Sequence, residues 1–399
     1  MYKAHYQHFL RRHPGELHFT AHSHHFWPDV TRDAMLQYWE DAARYLDDKW
    51  EYLRREVIPE TQVLIAELIG SRTPEQIVFT PNTHEFVCRL LSCFEPGEPL
   101  AVLTTDSEFH SFRRQIARFA EYPWVQVRQV ASEPVSSFNA RFLAALEEEP
   151  YQLIFLSQVF YNSGYAVQNL PEFIGQLTQQ VPEDAITVLD AYHGFCALPI
   201  DIGRFADRVF YLAGGYKYAQ AGEGVCFLHV PPNCQRRPGN TGWFAELAWL
   251  SEQAADTVGY SNNGQRFAGA TFDHCGIYRL RAVLRLFKQL GLDIQAIHRY
   301  VEALQQHFVR RLQRLDYPPL NEQTLLYQPG GSHGHFLTFQ LASAEAARSV
   351  AQQLKAQAVY VDYRGNRLRF GFGLYHDAKD IEELFERLNR SASGENGVR

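Results

Sequence analysis

Two residues far apart in the chain have the types and positions that a pyridine cofactor needs. Asp190 ends the apolar run ITVLD, and Lys217 follows the apolar run VFYLA in a glycine-rich turn, GGYKY. Such runs are typical of strands buried in a parallel sheet, and open α/β sheets bind ligands at the carboxyl ends of their strands. A lysine that forms a Schiff base and a carboxylate that pairs with a pyridinium nitrogen serve pyridoxal phosphate (PLP) chemistry. The two residues together therefore predict a PLP site.

Two other apolar runs end in residues that suit the remaining parts of the cofactor. After QIVFT, residues Asn82, Thr83 and His84 open a helical pattern, whose first backbone N–H groups can bind a phosphate. Asn82 or Thr83 would serve equally well as a plain helix N-cap. After PLAVLTT, either Phe109 or His110 offers a ring that could stack on the pyridine.

An amino-acid substrate also needs a cation for its α-carboxylate. The segment YRGNRLRFGFGLY near the C-terminus offers Arg364, Arg367 and Arg369. Arginine binds carboxylates through two parallel hydrogen bonds, so Arg369, Arg364 and Arg367 are all candidates, although an arginine at any one of these positions alone is more often a surface charge.

Residues 22–28 read HSHHFWP and place three histidines in four positions. Metal binding, ordinary structural histidines and the wall of a substrate pocket are the three interpretations. The spacing H-x-H-H fits no zinc pattern, and no nearby carboxylate completes a ligand set. We therefore predict no metal site, and we prefer the pocket wall for reasons given below.

The elements that must position these residues form two units. Continuous apolar runs alternate with helical patterns between residues 60 and 230, which predicts a parallel or mixed sheet covered by helices on both faces. The apolar runs are 75–80, 99–105, 151–157, 185–190, 208–213 and 224–230, and helical patterns cover 82–94, 140–147 and 171–180. After the Pro/Gly-rich break 231–242 come two amphipathic helices, 277–291 and 297–315, and two strands, 333–341 and 366–374, typical of a smaller α+β unit.

Composition narrows the class of partner. The chain has 399 residues, 46% of them hydrophobic, and a net charge of −7 with no basic stripe, so nucleic acid is not expected as a partner. The apolar runs are far shorter than a membrane span, and the N-terminus does not resemble a signal peptide. Six scattered cysteines are expected to be thiols, so we predict a cytoplasmic protein that acts on a small molecule.

Several ordered motifs resemble those of fold-type I PLP enzymes of the class V aminotransferase group, and within that group those of kynureninase. The resemblance runs from about residue 17 to 388 and rests on FTPNTHE, SEFHSF, SQVFYNSG, LDAYHG, GGYKY, NTGWF, QRFAGAT and VDYRGNRLRFGFGLY. It implies PLP as cofactor, Lys217 as its Schiff-base lysine and Asp190 as the pyridinium partner. It further implies roles beside the ring or on the phosphate for Thr83, His84, Phe109, His193 and Tyr216.

The same resemblance implies an architecture and a second subunit. The fold would be a large domain with a mostly parallel seven-stranded sheet, residues 46–260, and a smaller α+β domain, residues 261–390. An N-terminal arm, 1–45, would pack on the small domain, and the tail 391–399 is expected to be disordered. Trp243 and Thr271 would reach the site of a neighbouring subunit, which implies a homodimer with shared active sites. Arg369 would grip the substrate carboxylate.

The segment HSHHFWP departs most from the resemblance. Kynureninases carry Asn-Ser-Leu-Gly there, followed by a proline, and this chain retains only Ser23 and Pro28. Ala245-Glu246 also replaces a Gly-His pair, and residue 160 is Phe where a polar residue is usual. Because the segment lies at the entrance of the active site in that family, we expect His22, His24 and Trp27 to contact the substrate.

The leading hypothesis is hydrolytic Cβ–Cγ cleavage of an amino acid with a γ-carbonyl, as kynureninase converts kynurenine to anthranilate and alanine. Lys217, Asp190 and Tyr216 would be the catalytic residues. A class V aminotransferase is the alternative. A protein of this fold that binds without catalysis is a different class of hypothesis, and the presence of Lys217, Asp190 and Arg369 argues against it. A cysteine desulfurase or lyase ranks lower because no cysteine follows Cys275.

Overall fold

The structure is a computed structural model that describes residues 2–249, 257–326 and 331–392. Twelve strands are defined in these ranges: β1 Leu17–His18, β2 Ile77–Thr80, β3 Leu100–Thr105, β4 Val125–Val130, β5 Leu153–Ser157, β6 Ile186–Asp190, β7 Val209–Gly214, β8 Cys226–His229, β9 Phe336–Gln340, β10 Val359–Tyr360, β11 Asp362–Arg364 and β12 Arg367–Gly371. The α-helices are α1 Gln7–Leu10, α2 Val30–Tyr45, α3 Lys49–Tyr52, α4 Ile58–Ile69, α5 Thr83–Leu91, α6 His110–Phe119, α7 Phe138–Leu146, α8 Leu170–Gln180, α9 Cys275–Gln289, α10 Ile294–Leu312, α11 Ala344–Ala356 and α12 Ala378–Ala392.

Seven strands form the central sheet in the order β2-β8-β7-β6-β5-β3-β4. β8 runs antiparallel to both of its neighbours, and the other pairs in the sheet are parallel. This arrangement confirms the predicted α/β class with a mostly parallel sheet. β5 is buried throughout and β6 is buried up to its last residue, because helices cover both faces and no face is left for polar alternation.

Each apolar run predicted as a strand of the large unit contains one, whereas β4 was missed. Its sequence, VQVRQV, mixes apolar and polar residues, and four of its six residues are at least partly exposed. β4 lies at the edge of the sheet and pairs with β3 alone, so it does not need the continuous apolar pattern of the inner strands.

A second layer of strands belongs to the C-terminal part of the chain. β12 lies between β11 and β9 in an antiparallel sheet, and Arg369 pairs with Thr338 on one side and with Asp362 on the other. Phe308, Phe339 and Phe370 lie in the apolar core between this sheet and helices α10, α11 and α12.

The first 45 residues contact both cores. β1 pairs in parallel with β10, and Leu17 and Phe19 are buried in the apolar core of the C-terminal sheet. Phe26 and Ala34 are buried in the core around the large sheet, where α2 packs along α9. The predicted domain boundaries stay a prediction.

The C-terminal helix α12 extends to Ala392 and so includes the first two residues of the predicted tail. Residues 393–399 lie outside the described residues. Within the described ranges, every helix is too short or too polar to cross a membrane.

Candidate active site

The carboxyl ends of four strands meet at one edge of the large sheet. β6 ends at Asp190, and Ser157 at the end of β5 lies opposite it in the register. β7 ends at Gly214 and leads through Gly215 and Tyr216 to Lys217. β2, which has the same direction as β7 because β8 is antiparallel to both, leads to α5. The topology therefore gathers residues separated by more than 130 positions in the chain.

These strand ends surround a cavity of about 260 Å³. The lining residues are Asn82, Thr83, Phe109, Ser111, Ser157, Val159, Tyr161, Asp190, Tyr192, His193, Tyr216 and Lys217. The set combines an amine, a carboxylate, an imidazole, several hydroxyls and aromatic rings, which are the groups predicted for a PLP site.

The amine of Lys217 lies among two aromatic rings and the imidazole of His193. Its Nζ atom forms a hydrogen bond with Nε2 of His193 and lies 5.4 Å from the ring centre of Phe109 and 5.1 Å from that of Tyr192. Burial, followed by the charge of Arg369, lowers the pKa of Lys217 to about 7. A lysine with such a pKa is largely a neutral amine just above neutral pH and can act as a nucleophile.

Two glycines before Lys217 allow this close packing. A Cβ at Gly214 would lie 2.5 Å from Sγ of Cys226 and 2.6 Å from the ring of Tyr192, and one at Gly215 would lie 2.6 Å from Val225. Because side chains at 214 and 215 would displace these neighbours, the glycine-rich turn has a steric reason to precede the lysine.

Asp190 faces the same cavity with one oxygen already engaged. Its Oδ1 accepts a hydrogen bond from the backbone N–H of Tyr192 at 2.9 Å. Burial raises the pKa of Asp190 to about 6, while that hydrogen bond and the charge of Lys217 oppose the rise. The carboxylate is thus deprotonated at neutral pH and can accept a hydrogen bond from a protonated ring nitrogen.

The start of α5 supplies the predicted phosphate donors only in part. Asn82 caps the helix by accepting a hydrogen bond from the N–H of Glu85 at 3.1 Å, and Asn82 and Thr83 both line the cavity. His84 is exposed and does not belong to the lining; its Nε2 lies 3.6 Å from Sγ of Cys88. Backbone N–H groups and the Thr83 hydroxyl therefore fit a phosphate better than the His84 ring does.

Of the two rings considered for stacking, Phe109 lines the cavity and His110 does not. Phe109 is 40% exposed and contacts Tyr161 edge to face at 5.4 Å. His110 is exposed, with Nδ1 3.0 Å from Arg113 Nη2, and its ring centre lies 5.5 Å from that of Tyr161. His193, whose Nε2 is hydrogen-bonded to Lys217, is buried, and its Nδ1 lacks a hydrogen-bond partner. A buried ring nitrogen without a partner next to the lysine is the kind of group that a bound cofactor would satisfy.

Arg369 is the one candidate arginine of the three that is buried beside the cavity. It donates hydrogen bonds to Asp362 and to the backbone carbonyl of Tyr161, and its Cζ lies 5.9 Å from the ring centre of Phe336. Arg364 is exposed, and Arg367 forms an ion pair with Glu133 at the surface. The structure brings Arg369 next to Tyr161, a lining residue.

The three histidines of HSHHFWP have separate surroundings. His22 is 1% exposed and stacks on Phe336 at 4.7 Å, with Nε2 3.5 Å from Asp362. Burial and the charge of Arg369 lower the pKa of His22 to about 3, so the ring is neutral.

The other two histidines of the segment have different neighbours. His24 is exposed, and its Nδ1 lies 2.5 Å from the hydroxyl of Tyr216. His25 is buried and hydrogen-bonded to the carbonyl of Phe26 at 2.7 Å. The rings do not converge on one point, so they form no joint ligand set.

Trp27 packs away from the cavity. Its ring lies against Gly222, where a Cβ would overlap it, and 5.2 Å from the guanidinium carbon of Arg279. Trp243 and Thr271, predicted to serve a neighbouring subunit, do not line the Lys217 cavity of their own chain. Trp243 is 46% exposed and Thr271 is exposed.

Sequence reasoning missed a second buried carboxyl group at the site. Glu108 accepts hydrogen bonds from Thr105 Oγ1 at 2.7 Å, from Ser157 Oγ at 2.5 Å and from Ser157 N at 3.2 Å. Burial, with a smaller contribution from Asp190, raises the pKa of Glu108 to about 8. The signal was available, because Glu108 immediately precedes Phe109 after the end of β3.

Asp362 was missed as well. It lies on β11, two residues before Arg364, and its carboxylate contacts both Arg369 and His22. Asp362 and Arg369 are seven residues apart and pair across the β11–β12 hairpin, and this short spacing was a signal for their contact in the sequence.

Comparison with known proteins places the chain among proteins of this architecture. The family model for aminotransferase class-V matches residues 33–384. An uncharacterized protein of Schizosaccharomyces pombe, C11D3.10, is 24% identical over 355 residues, which are 84% of this chain and 75% of that protein.

Solved structures with the same fold carry sulfur-related names. The cystine C-S lyase C-DES, in complex with its product cysteine persulfide, has a TM-score of 0.79 and 18% identity over 95% of this chain and 99% of that chain. A variant of C-DES with glycine covalently linked to its PLP cofactor has a TM-score of 0.80 and 18% identity over 96% and 98%. The cysteine desulfurase CsdA of Escherichia coli has a TM-score of 0.80 and 15% identity over 98% of both chains. At these identities the likeness concerns the fold, and none of these matches points to kynureninase in particular.

Proposed function

The chain belongs to the aminotransferase class-V family, whose enzymes have PLP fold type I and depend on PLP, and from that premise we propose that it cleaves the side chain of an α-amino acid. The leading reaction is hydrolytic Cβ–Cγ cleavage of an amino acid that carries a γ-carbonyl, the reaction of kynureninase. The observation that carries the proposal is the contact between His24 and Tyr216, which lines the cavity that holds Lys217; imidazole and phenol groups can both transfer protons.

The first proton transfer is assigned to Lys217. With PLP bound, the Lys217 amine would accept the Cα proton of the substrate, since its lowered pKa keeps it largely unprotonated just above neutral pH. His193 accepts a hydrogen bond from Lys217 and so orients the amine. Bound PLP supplies the electron sink, and Asp190 would keep its ring nitrogen protonated.

The contact between Tyr216 and His24 favours cleavage over transamination in this proposal. Transamination moves one proton between two carbons, and a single lysine suffices for it. Hydrolytic cleavage also needs a group that activates water and a group that protonates the departing carbon. Tyr216 Oη and His24 Nδ1, 2.5 Å apart at the edge of the cavity, supply such a pair.

Arg369 is proposed to bind the substrate α-carboxylate. Its guanidinium is engaged by Asp362 and by the Tyr161 carbonyl, and its Nε is buried without a partner. A substrate carboxylate would add charge-assisted hydrogen bonds at this position. His22, neutral and stacked on Phe336, would position Asp362 rather than contact the substrate.

A second candidate is cleavage of a C–S bond in a sulfur-containing amino acid, which the fold shared with C-DES and CsdA favours. It could use the same lysine, aspartate and arginine. A desulfurase that forms a persulfide on its own thiol is less well supported. The six cysteines lie in described residues, and none lines the cavity; Cys226, 3.8 Å from the hydroxyl of Tyr192, is buried, and burial raises its pKa to about 12.

The test is a substrate panel on the PLP-loaded protein. Kynurenine and 3-hydroxykynurenine would be followed by the fluorescence of the anthranilate products, and cystine and cysteine by sulfide release. Transamination would be followed by half-reaction spectra with kynurenine as amino donor and pyruvate as acceptor. Fluorescent product formation supports the leading reaction. Sulfide release alone moves the assignment to the second candidate, and pyruvate-dependent turnover without a cleavage product overturns side-chain cleavage.

Lys217→Ala is the matched negative variant, with the exposed Lys355→Ala as control. The lysine-bound PLP absorbance, expected near ~420 nm, should be lost in the first variant and kept in the second. If the Lys217→Ala protein retains that absorbance, the assignment of the Schiff-base lysine is wrong.

We also propose that two copies of the chain form a two-fold dimer with shared sites. Exposed apolar residues support this: Trp39 is 70% exposed on α2, and Trp243 is 46% exposed. Isologous contact would bury both residues in each subunit.

Mixed dimers test whether Thr271 of one subunit serves the other subunit's site. If it does, a mixture of Lys217→Ala and Thr271→Ala proteins should regain about a quarter of wild-type activity, because half of the dimers carry one intact site. Failure to regain activity in a proven mixed dimer would exclude the shared site.

A further inference from the structure

A cluster of metal-ligating side chains lies on the N-terminal arm, outside the Lys217 cavity. A ring nitrogen of His13, a carboxylate oxygen of Glu16 and a ring nitrogen of His18 all lie within 4.8 Å of one another. We propose that His13, Glu16 and His18 bind one divalent transition-metal ion, with Zn²⁺ as the ion to test.

The three ligand atoms already converge on one point. Glu16 Oε2 lies 2.8 Å from His13 Nδ1 and 2.7 Å from His18 Nε2. A tetrahedral Zn²⁺ ion with bonds of about 2.0–2.1 Å separates its ligand atoms by roughly 3.3–3.5 Å. An ion can therefore replace the two hydrogen bonds to the carboxylate with side-chain movements of less than about 1 Å.

The rings are held in place by their neighbours. His18 stacks on Tyr360 with ring centres 4.3 Å apart and planes at 4°, and the Tyr360 hydroxyl lies 3.4 Å from the second oxygen of Glu16. His13 stacks on Phe26 at 5.9 Å and 25°. Ligands that outer contacts orient before the ion arrives lose less freedom on binding.

Access and ligand type indicate the class of ion. The side chains of His13, Glu16 and His18 are 38%, 28% and 16% exposed, so an ion can enter from solvent and keep water at its remaining positions. Two imidazoles and one carboxylate suit Zn²⁺ and its first-row neighbours, whereas Ca²⁺ and Mg²⁺ prefer oxygen ligands alone.

Metal binding here would act on the arm that leads into the active site. His18 pairs with Tyr360 across β1 and β10, and Thr20 bridges to Gly371 next to it. His22 and His24 follow on the same segment. An ion that joins residues 13, 16 and 18 would therefore secure the loop before β1 to the strand from which His22 and His24 depart.

The experiment titrates Zn²⁺ into the full-length PLP-loaded protein by calorimetry, with the bound metal counted after dialysis. We expect one equivalent for the wild type and a rise in melting temperature of roughly 2–5 °C at saturation. His13→Ala/His18→Ala should lose that equivalent, and Glu16→Gln, which keeps the shape, should weaken binding at least ~10-fold. His5→Ala/His8→Ala, on the same arm, is the matched control and should keep it.

X-ray absorption of the loaded protein should show nitrogen and oxygen ligands and no sulfur. A wild type without a bound equivalent would overturn the proposal, and so would equal binding by the His13→Ala/His18→Ala variant. The same holds if the equivalent is lost in His84→Ala/Cys88→Ala, because that pair is a competing ligand set. Glu16 would then serve as a hydrogen-bond acceptor between two imidazoles and no more.

Discussion

The two sides of the Lys217 cavity are built in different ways. The cofactor side, comprising Thr83, Ser157, Asp190 and Lys217, consists of residues at or just after strand ends of one sheet. The proposed substrate side comprises His24, Tyr161, Asp362 and Arg369, which come from the N-terminal arm, a loop of the large unit and a hairpin of the small sheet. Topology places the first set, whereas the packing of three separate segments places the second.

Their electrostatics differ as well. On the cofactor side burial shifts the pKa values of Lys217 and Asp190 toward each other, to about 7 and about 6. On the proposed substrate side, the buried cation Arg369 already has a carboxylate partner, Asp362. The first side therefore suits proton transfer, and on the second side a substrate carboxylate would add to the partner that Arg369 already has.

The largest expected effect is on the cofactor side. Asp190→Asn keeps the shape of the side chain and removes the charge that would hold the ring nitrogen protonated, so kcat should fall on the order of 10³-fold while PLP remains bound. Steady-state kinetics and the PLP spectrum measure the two quantities. The exposed Asp316→Asn is the control. A loss of kcat smaller than about tenfold would remove Asp190 from the role assigned to it.

The next effect concerns substrate binding. Arg369→Ala/Asp362→Asn removes the arginine together with its partner, so that no carboxylate is left buried and unpaired. The loss of charge-assisted bonds, about 1.5–3 kcal/mol, should raise KM roughly 10- to 150-fold and leave the PLP spectrum unchanged.

Arg367→Ala, which removes a surface ion pair, is the control and should leave KM within about twofold. If kcat falls as strongly as kcat/KM while KM is constant, Arg369 does not bind the ground-state substrate.

The difference between the two sides explains what sequence could predict. Asp190 and Lys217 were found because a polar residue directly after a continuous apolar run marks a strand end in a parallel sheet. β4 was missed because an edge strand does not need that pattern. Glu108 stood beside a predicted site residue, but only the structure shows that its side chain turns inward to Ser157.

The substrate side could not be derived in the same way. The contact between His24 and Tyr216 joins residues 192 positions apart, and that between Arg369 and Tyr161 joins residues 208 apart. Local patterns carry no information on how an arm, a loop and a hairpin dock. Resemblance supplied Arg369, and it placed HSHHFWP at the cavity as a whole, although the structure separates His24 from Trp27.

A smaller effect tests the pKa of Lys217 in the absence of substrate. PLP reacts with the neutral amine, and the lowered pKa means that this form prevails above about pH 7 and is lost as the pH falls below it. The rate at which apoprotein takes up PLP should therefore rise about tenfold per pH unit below pH 7 and level off above it. Stopped-flow absorbance gives the profile. A rate still rising tenfold per unit at pH 9 would mean that burial does not lower the pKa of this lysine.

The smallest effect separates two neighbours in one segment. His24 contacts Tyr216, a lining residue, so His24→Ala and Tyr216→Phe should each lower kcat by up to about 100-fold, and the double variant little further, because each change breaks the same pair. Trp27 packs on Gly222 and Arg279, so Trp27→Phe should leave kcat and KM within about twofold and lower the free energy of unfolding by about 1 kcal/mol. If Trp27→Phe changes KM more than His24→Ala does, the substrate contacts this segment at the Trp27 indole and not at His24.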